Sequence, residues 1–277
     1  MVIAENGCLC SKSSKIYITW LMQNPLKHPL ALDLELDSQK TTEIHAQIIK
    51  EKAFLQKIYN EWGVRIASLV PNKVGGAILE LGSGGGFLEN FIPEIITSEI
   101  QNNQKVHLQA DACCLPFRAS TINSIVMIDV FHHIPDVEEF LHECVRCVQP
   151  GGRIIMIEPW ITTWSALIYD KLHHEPYLPD TENWAFPSTG PLSGANLALP
   201  WIVFKRDRRK FTAEFPELGI NLIHPDWPIV YLLSGGLSMK SLAPGFSYSF
   251  LRKFESFLQL IMKHIAMFAT IVLERKP

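Results

Sequence analysis

The chain predicts an α/β fold, a mostly parallel sheet with helices on its faces, on three observations. An apolar run from Ala77 to Leu81 ends in a cluster of glycines. Further short apolar runs follow, each closing on an acid. An amphipathic helix with clear start and stop signals lies between two of those runs. Runs this apolar read as strands covered on both faces, as in a parallel sheet.

Ala77, Ile78, Leu79 and Leu81 give the first strand, with Glu80 among them, and Gly82, Ser83, Gly84 and Gly86 give the turn that follows. Glycine reaches backbone angles closed to other residues. With no side chain it also lets a ligand lie against the amides, near the start of a helix whose free N–H groups point outward. The turn therefore reads as a nucleotide cradle. A dinucleotide fingerprint, G-x-G-x-x-G, needs its third glycine at position 87, where Phe87 stands; the glycine comes one residue early, at Gly86. NAD fits this spacing poorly.

The second run, Ile95 to Ser98, closes on Glu99, nineteen residues after Glu80, where a carboxylate can accept both ribose hydroxyls. Val106 to Ala110 leads into Asp111-Ala112-Cys113-Cys114-Leu115-Pro116-Phe117. Ile125 to Ile128 leads into Asp129-Val130-Phe131-His132-His133-Ile134. Asp136 then stands as a helix N-cap with Glu139 as its capping-box partner, and acids fill the electropositive first turn. Val137, Phe140, Leu141, Cys144 and Val148 give that helix one apolar face, and Pro150-Gly151-Gly152 ends it before a fifth strand, Arg153 to Ile157, closes on Glu158-Pro159.

The E-x-G-x-G-x-G spacing, the D-A-x-x-L-P-F and D-V-x-H-H-I segments and the R-C-V-Q-P-G-G stretch before strand five resemble the class I S-adenosylmethionine-dependent methyltransferases, type 11-like. The resemblance spans Gly75 to about Trp160. It implies a Rossmann-like three-layer sandwich with a mostly parallel seven-stranded sheet whose last strand, Phe268 to Glu274, runs antiparallel. It also implies S-adenosylmethionine as cofactor. Glu80, Gly82, Ser83, Gly84 and Gly86 would hold its methionine end, Glu99 the ribose, and Asp111 with Ala112 the adenine, with Asp129 counted among the contacts. Two departures stand out. Only twelve residues separate Gly86 from Glu99, so the first helix must be short, with Pro93 near its end, and Asn123 stands where many relatives carry aspartate.

The remainder divides into an N-terminal helical cap region, 1–72, and a methyltransferase domain, 73–277, with 160–225 as a substrate-recognition insertion. Thr41 to Trp62 carries apolar residues at helical spacing, a helix that either caps the cofactor cleft or simply packs on the sheet edge. The insertion is irregular and holds His173-His174-Glu175, and long irregular segments in compact domains are often functional. Its basic run, Lys205 to Lys210, reads first as a solvated helix face; an anion-binding role would make a phosphorylated or lipid-linked acceptor attractive. Tyr231 to Gly236 suggests a loop near the site.

At 277 residues with 47% apolar content the chain can bury a full core, and a net charge of −3 gives no support for a nucleic-acid partner. Ile16 to Met22, after Lys12-Ser13-Ser14-Lys15, is too short for a signal peptide and lacks a cleavage site. Phe257 to Leu273, interrupted by Lys263 and His264, is too short to span a membrane and reads as a core helix entering the last strand. These features point to a cytoplasmic protein with no transmembrane segment. Cys8 with Cys10 and Cys144 with Cys147 could form a four-thiolate zinc site, but reduced buried thiols are the ordinary reading and no metal is expected.

A sulfonium methyl is already activated. Such an enzyme must align a nucleophile with the C–S bond, exclude water and take a proton where one must leave. The candidates for a base are His132 and His133 beside Asp129 and Glu158, and His173, His174 and Glu175 from the insertion; histidine has the intrinsic pKa for the task. His132 and His133 have a structural alternative, because H-H-I recurs in the family whatever the substrate. The expected activity is methyl transfer to an oxygen, nitrogen or carbon of a small-molecule acceptor. The rivals are a catalytically silent binding protein on the same fold and a nicotinamide-dependent reductase.

Overall fold

In the computed structural model, residues 25–32, 37–173, 175–187, 190 and 194–277 are described. Seven strands form one sheet, β1 (Ala77–Leu81), β2 (Ile96–Glu99), β3 (Leu108–Gln109), β4 (Ile122–Ile128), β5 (Val148–Pro159), β6 (Leu218–Asp226) and β7 (Phe268–Arg275), in the order β3-β2-β1-β4-β5-β7-β6. β1 pairs in parallel with β2 and β4, β2 with β3, and β4 with β5, while β7 lies antiparallel between β5 and β6. This is the predicted sheet, including its antiparallel last strand. The order reverses between β1 and β4, and ligands of such sheets bind in the crevice beyond the strand ends at that point.

Alternation along the strands makes two cores. Leu79, Ile125, Met127, Ile154 and Met156 face one layer, which contains the apolar side of helix α3 (Val137–Cys147) and Phe204, Phe211 and Phe215. Ile78, Val126, Ile155 and Ile157 face the other, with Leu55, Ile58, Trp62 and Ile66 packed on them. Among the described residues the α-helices of four residues or more are α1 (Gln39–Glu51), α2 (Ala53–Leu69), α3, α4 (Thr163–Leu172), α5 (Arg208–Glu214), α6 (Val230–Ser234), α7 (Tyr248–Phe257) and α8 (Met262–Ile265), with a helical turn at Leu199–Trp201 and short 3-10 and π turns between them.

Several expectations change. The helix predicted over Thr41 to Trp62 is two, kinked at Lys52 (φ −92°, ψ 87°), whose buried ammonium donates to the carbonyls of Gly236 and, at 2.7 Å, Met239. α2 packs on the sheet, while Ala46 of α1 sits over the glycine turn, 3.1 Å from where a Cβ on Gly85 would lie. After β1 the expected short helix shrinks to one 3-10 turn, Leu88–Asn90, so no long helix points its N-terminus at the glycines. Asp136 does cap α3, accepting from Glu139 N at 3.1 Å. The helix ends at Cys147, before the predicted stop, because Val148 turns extended and opens β5, with Pro150-Gly151-Gly152 inside the irregular start of that strand.

The insertion is shorter than 160–225, because Leu218–Asp226 is sheet strand β6. Residues 160–217 form the crossover from β5 to β6, and its start is a regular helix closed by a Thr162–Ser165 capping box. Tyr231 to Gly236 is largely the short helix α6, ended by Gly235 at φ 69°, rather than a loop. Before β7 the chain breaks into short turns and leaves Phe257, Leu260 and Ile261 exposed, so the expected core helix does not form. Cys144 and Cys147 are buried in α3; Cys8, Cys10 and the stretch from Lys12 to Met22 lie outside the described residues. Among the described residues no helix is long and apolar enough to cross a membrane.

Candidate active site

A cavity of about 1070 Å³ opens at the carboxyl ends of β1, β2, β4 and β5, at the large end of the range for ligand pockets. Glu80, Gly82, Ser83, Gly84, Glu99, Asp111, Ala112, Asp129, His133 and His173 all line it. Gly86, which is exposed, and His132, which is buried, do not line it; Gly85 and Phe87 take the place expected of Gly86. His174 lies outside the described residues.

At one end the wall is mostly backbone. Gly82, Gly84 and Gly86 have φ of 63°, 53° and 64°, a region that L side chains rarely adopt. The turn is tied to β2 three times: Ser83 N donates to Ser98 O (3.0 Å), Ser98 N to Ser83 Oγ (3.0 Å), and Ser98 Oγ to Glu80 O (2.7 Å). Gly84 N donates to Glu99 Oε1 at 2.6 Å, so the proposed ribose carboxylate also braces the turn. A Cβ on Gly84 would meet open space, its nearest neighbour Gly82 O at 3.9 Å. Glu80 is buried, and its Oε2 has no hydrogen-bond partner among the described residues. Burial pushes that carboxyl up to about 8, against a hydrogen bond from Ser83 and with the charge of Glu99 adding to the rise. Asp111 Oδ1 accepts Cys113 N at 2.9 Å, which shapes the next loop. Arg146 pins that loop to α3 by donating to the carbonyls of Leu115 (2.9 Å) and Phe117 (2.6 Å) while pairing with Glu143.

The other end is made of side chains. Asp129, at φ 60°, ends β4 by reversing the chain into the 3-10 turn Phe131–His133. Glu158, fully buried at the end of β5, holds that turn: Oε1 accepts Val130 N and Phe131 N, both at 2.8 Å, and Oε2 lies 2.8 Å from His132 Nδ1. His132 Nε2 is 3.3 Å from Glu175 Oε2, and His133 Nε2 is 3.7 Å from Glu175 Oε1. His133 Nδ1 donates to Gly194 O at 2.9 Å, and His173 Nδ1 is 3.8 Å from Glu175 Oε2. The sequence did not single out Asn196, which brings these pieces together. Its N donates to His132 O (2.9 Å), its Oδ1 accepts Leu178 N and Ala198 N (3.0 Å each), and its Nδ2 donates to Leu178 O (3.1 Å).

The electrostatics follow from this packing. Burial opposes charge on His132, but hydrogen bonds to Glu158 and Glu175 outweigh it and hold the imidazole well above its ordinary value. Burial, with the neighbouring His132 charge, lowers His133. Glu175 is also penalised by burial, yet His132, His173 and His133 hold it well below the carboxylate range. Burial lifts Asp129 to about 7, with His132 opposing and Glu175 and Glu158 adding.

The basic run has a structural use. Arg206 donates to Pro179 O (2.6 Å) and Thr181 O (2.7 Å) and pairs with Asp207 at 2.7 Å; Lys210 pairs with Glu138 at 2.5 Å and lies 4.2 Å above the Trp184 ring. No residue of the run lines the cavity.

Residues 79–156 match a family model described as a methyltransferase domain. The tocopherol O-methyltransferase of Arabidopsis thaliana is 32% identical over 80 residues, 25% of this chain and 23% of that protein. The demethylmenaquinone methyltransferase of Thermus thermophilus is 26% identical over 117 residues, 35% of this chain and 53% of that protein. The chain thus spans about half, or less, of these relatives. A solved geranyl diphosphate methyltransferase is similar with a TM-score of 0.48 at 12% identity, over 87% of this chain and 93% of that one. The matched segment begins in β1, ends in β5 and carries the glycine turn with its acids, so the likeness to a methyltransferase domain falls on the part of the chain that builds this end of the cavity.

Proposed function

We propose that the protein is an S-adenosylmethionine-dependent methyltransferase acting on a small molecule. The observation that carries this reading is a single cavity with a glycine cradle and an unpaired acceptor at one end and a histidine–carboxylate cluster at the other. The residues fit the cofactor. Glu80 Oε2 is a buried acceptor that an ammonium group would satisfy, the space beside Gly84 is what a Cβ would fill, and Glu99 and Asp111 stand at the next strand ends. Glu80 and the amides of Gly82 to Gly85 would hold the methionine end, Glu99 the ribose, and Asp111 with Ala112 the adenine. When bound, the cofactor supplies a methyl group already activated as a sulfonium.

The chain's own groups then position the acceptor. Ile168, Tyr169, Leu172, Leu197 and Phe268 give the remaining wall an apolar character, suited to an acceptor with an apolar body. His133, kept neutral and fixed by Gly194, turns Nε2 toward Glu175, where it can take or share a proton from the reacting group. Thr42, His45 and Ile49 of α1 and Tyr231 and Leu232 of α6 line the cavity and would limit the access of water to the reacting groups. An anionic or lipid-linked acceptor has less support, because no residue of the basic run lines the cavity and two of its cations, Arg206 and Lys210, are engaged with the crossover, Asp207 and Glu138. The free thiols Cys144 and Cys147 support a reducing, cytoplasmic setting.

The test is incubation with methyl-labelled S-adenosylmethionine and a cell extract. Label appearing in an extractable small molecule is the expected result. Binding of S-adenosylhomocysteine with no transfer would favour the silent relative.

A further inference from the structure

We propose that His132, His133 and Glu175 form a binding site for one divalent ion of the zinc type, facing the acceptor end of the cavity. The donor atoms are already gathered: one from each residue, all within 4.8 Å of one another, with His132 Nε2 at 3.3 Å and His133 Nε2 at 3.7 Å from the two Glu175 oxygens. Bonds of about 2.0–2.1 Å in tetrahedral geometry set neighbouring donors about 3.3 Å apart, so small shifts close the site.

The hydrogen bonds behind the rings argue for an ion more strongly than the distances do. A carbonyl oxygen only accepts, so the contact of His133 Nδ1 with Gly194 O places that ring's hydrogen on Nδ1 and leaves a lone pair on Nε2. Glu158 uses one oxygen for two backbone N–H groups and the other for His132 Nδ1, which likewise makes Nε2 the nitrogen turned to Glu175. Two imidazole nitrogens thus converge on one carboxylate, and a divalent ion between them would take the place of the proton that His132 shares with Glu175. Metal-binding histidines characteristically donate their second nitrogen to a carboxylate or a backbone carbonyl, and one of each is present here.

A second cluster, Asp129, His132 and Glu158, is the weaker choice, since its shared nitrogen, His132 Nδ1, is already committed to Glu158. Two histidines and one carboxylate leave a coordination position free toward the cavity, where an oxygen or nitrogen of the acceptor can bind. That role rests on the methyl-transfer reading, and with the ion bound His133 Nε2 is a ligand and no longer a proton acceptor; the site itself does not rest on that reading. It also stands where the sequence led us to expect no metal.

The test uses full-length protein freed of metal by chelation and titrated with Zn2+ by calorimetry, with Co2+ as the spectroscopic probe. Binding of S-adenosylhomocysteine is measured on the same samples. One equivalent is expected, with a cobalt spectrum free of the intense near-ultraviolet thiolate band that the cysteines would give. Affinity should fall at least about 100-fold in Glu175→Gln and in His133→Ala and about 10- to 100-fold in Glu158→Gln. Cofactor-product binding should persist in the first two, which shows that they fold. No binding of either ion, a thiolate spectrum, or affinity unchanged in Glu175→Gln and His133→Ala would overturn the site. Loss of S-adenosylhomocysteine binding in the unaltered protein would instead strike the functional reading alone.

Discussion

The end of the cavity proposed for the cofactor comes from one stretch of chain, residues 80–112, and is built largely of backbone; the end proposed for the acceptor is assembled from positions 129–133, 158, 173, 175 and 194–196 and is built of side chains. A backbone cradle depends on torsion angles that only a few residue types reach, so it leaves a local spacing pattern in the sequence. A side-chain cluster drawn from four segments leaves none, because any of its members could serve elsewhere. The two ends should therefore fail differently when altered.

The largest effect should come from Gly84→Val. A branched side chain at φ 53° is strained and would fill the cradle, so S-adenosylhomocysteine binding should become undetectable by calorimetry while circular dichroism shows a folded protein. Asn196→Ala should do the reverse: cofactor binding kept, turnover down by roughly 10- to 100-fold, because the arm carrying Glu175 loses the side-chain hydrogen bonds that hold it at Leu178 while the backbone bond to His132 remains, the loss expected when reacting groups are misplaced. If both variants lost only cofactor binding, the division between the two ends would not hold.

Glu99→Ala removes both a candidate ribose contact and the brace on Gly84 N, and should weaken binding about 10- to 100-fold, the value of a charged hydrogen bond of about 1.5–3 kcal/mol. An unchanged dissociation constant would move the ribose elsewhere. Glu80 predicts a pH dependence. Its folded pKa of about 8 lies above the ordinary 4.5, so its contribution to stability is full below 4.5 and is lost as pH rises through about 8. An ammonium ligand needs the carboxylate, so binding should release a proton and tighten as pH rises toward about 8, by at most about tenfold per unit. Calorimetry in buffers of different ionisation enthalpy reads that proton. The smallest effect belongs to Arg209→Ala, which lies off the cavity and should leave KM and kcat unchanged.

The same contrast explains what could be read in advance. The sheet was legible because each of its strands β1, β2, β4 and β5 is an apolar run ending in a marked residue: Leu81 before the glycines, then Glu99, Asp129 and Glu158. β6 was hidden: Leu218–Asp226 is half-exposed along much of its length and contains Gly219, Asn221 and Pro225, so it carries no continuous apolar run. The kink at Lys52 was hidden too, because what bends it is a pair of carbonyls about 185 residues away in sequence. His132, His133 and Glu175 were visible as candidates. Their arrangement was not, since it depends on Asn196 and Gly194, which belong to no motif in the sequence.

The central claim is that the turn at 82–86 receives S-adenosylmethionine, and calorimetric titration of the purified protein with S-adenosylhomocysteine and, separately, NADH tests it most directly. One equivalent of S-adenosylhomocysteine bound with no heat from NADH is the predicted result; binding of NADH, or of neither, would contradict it.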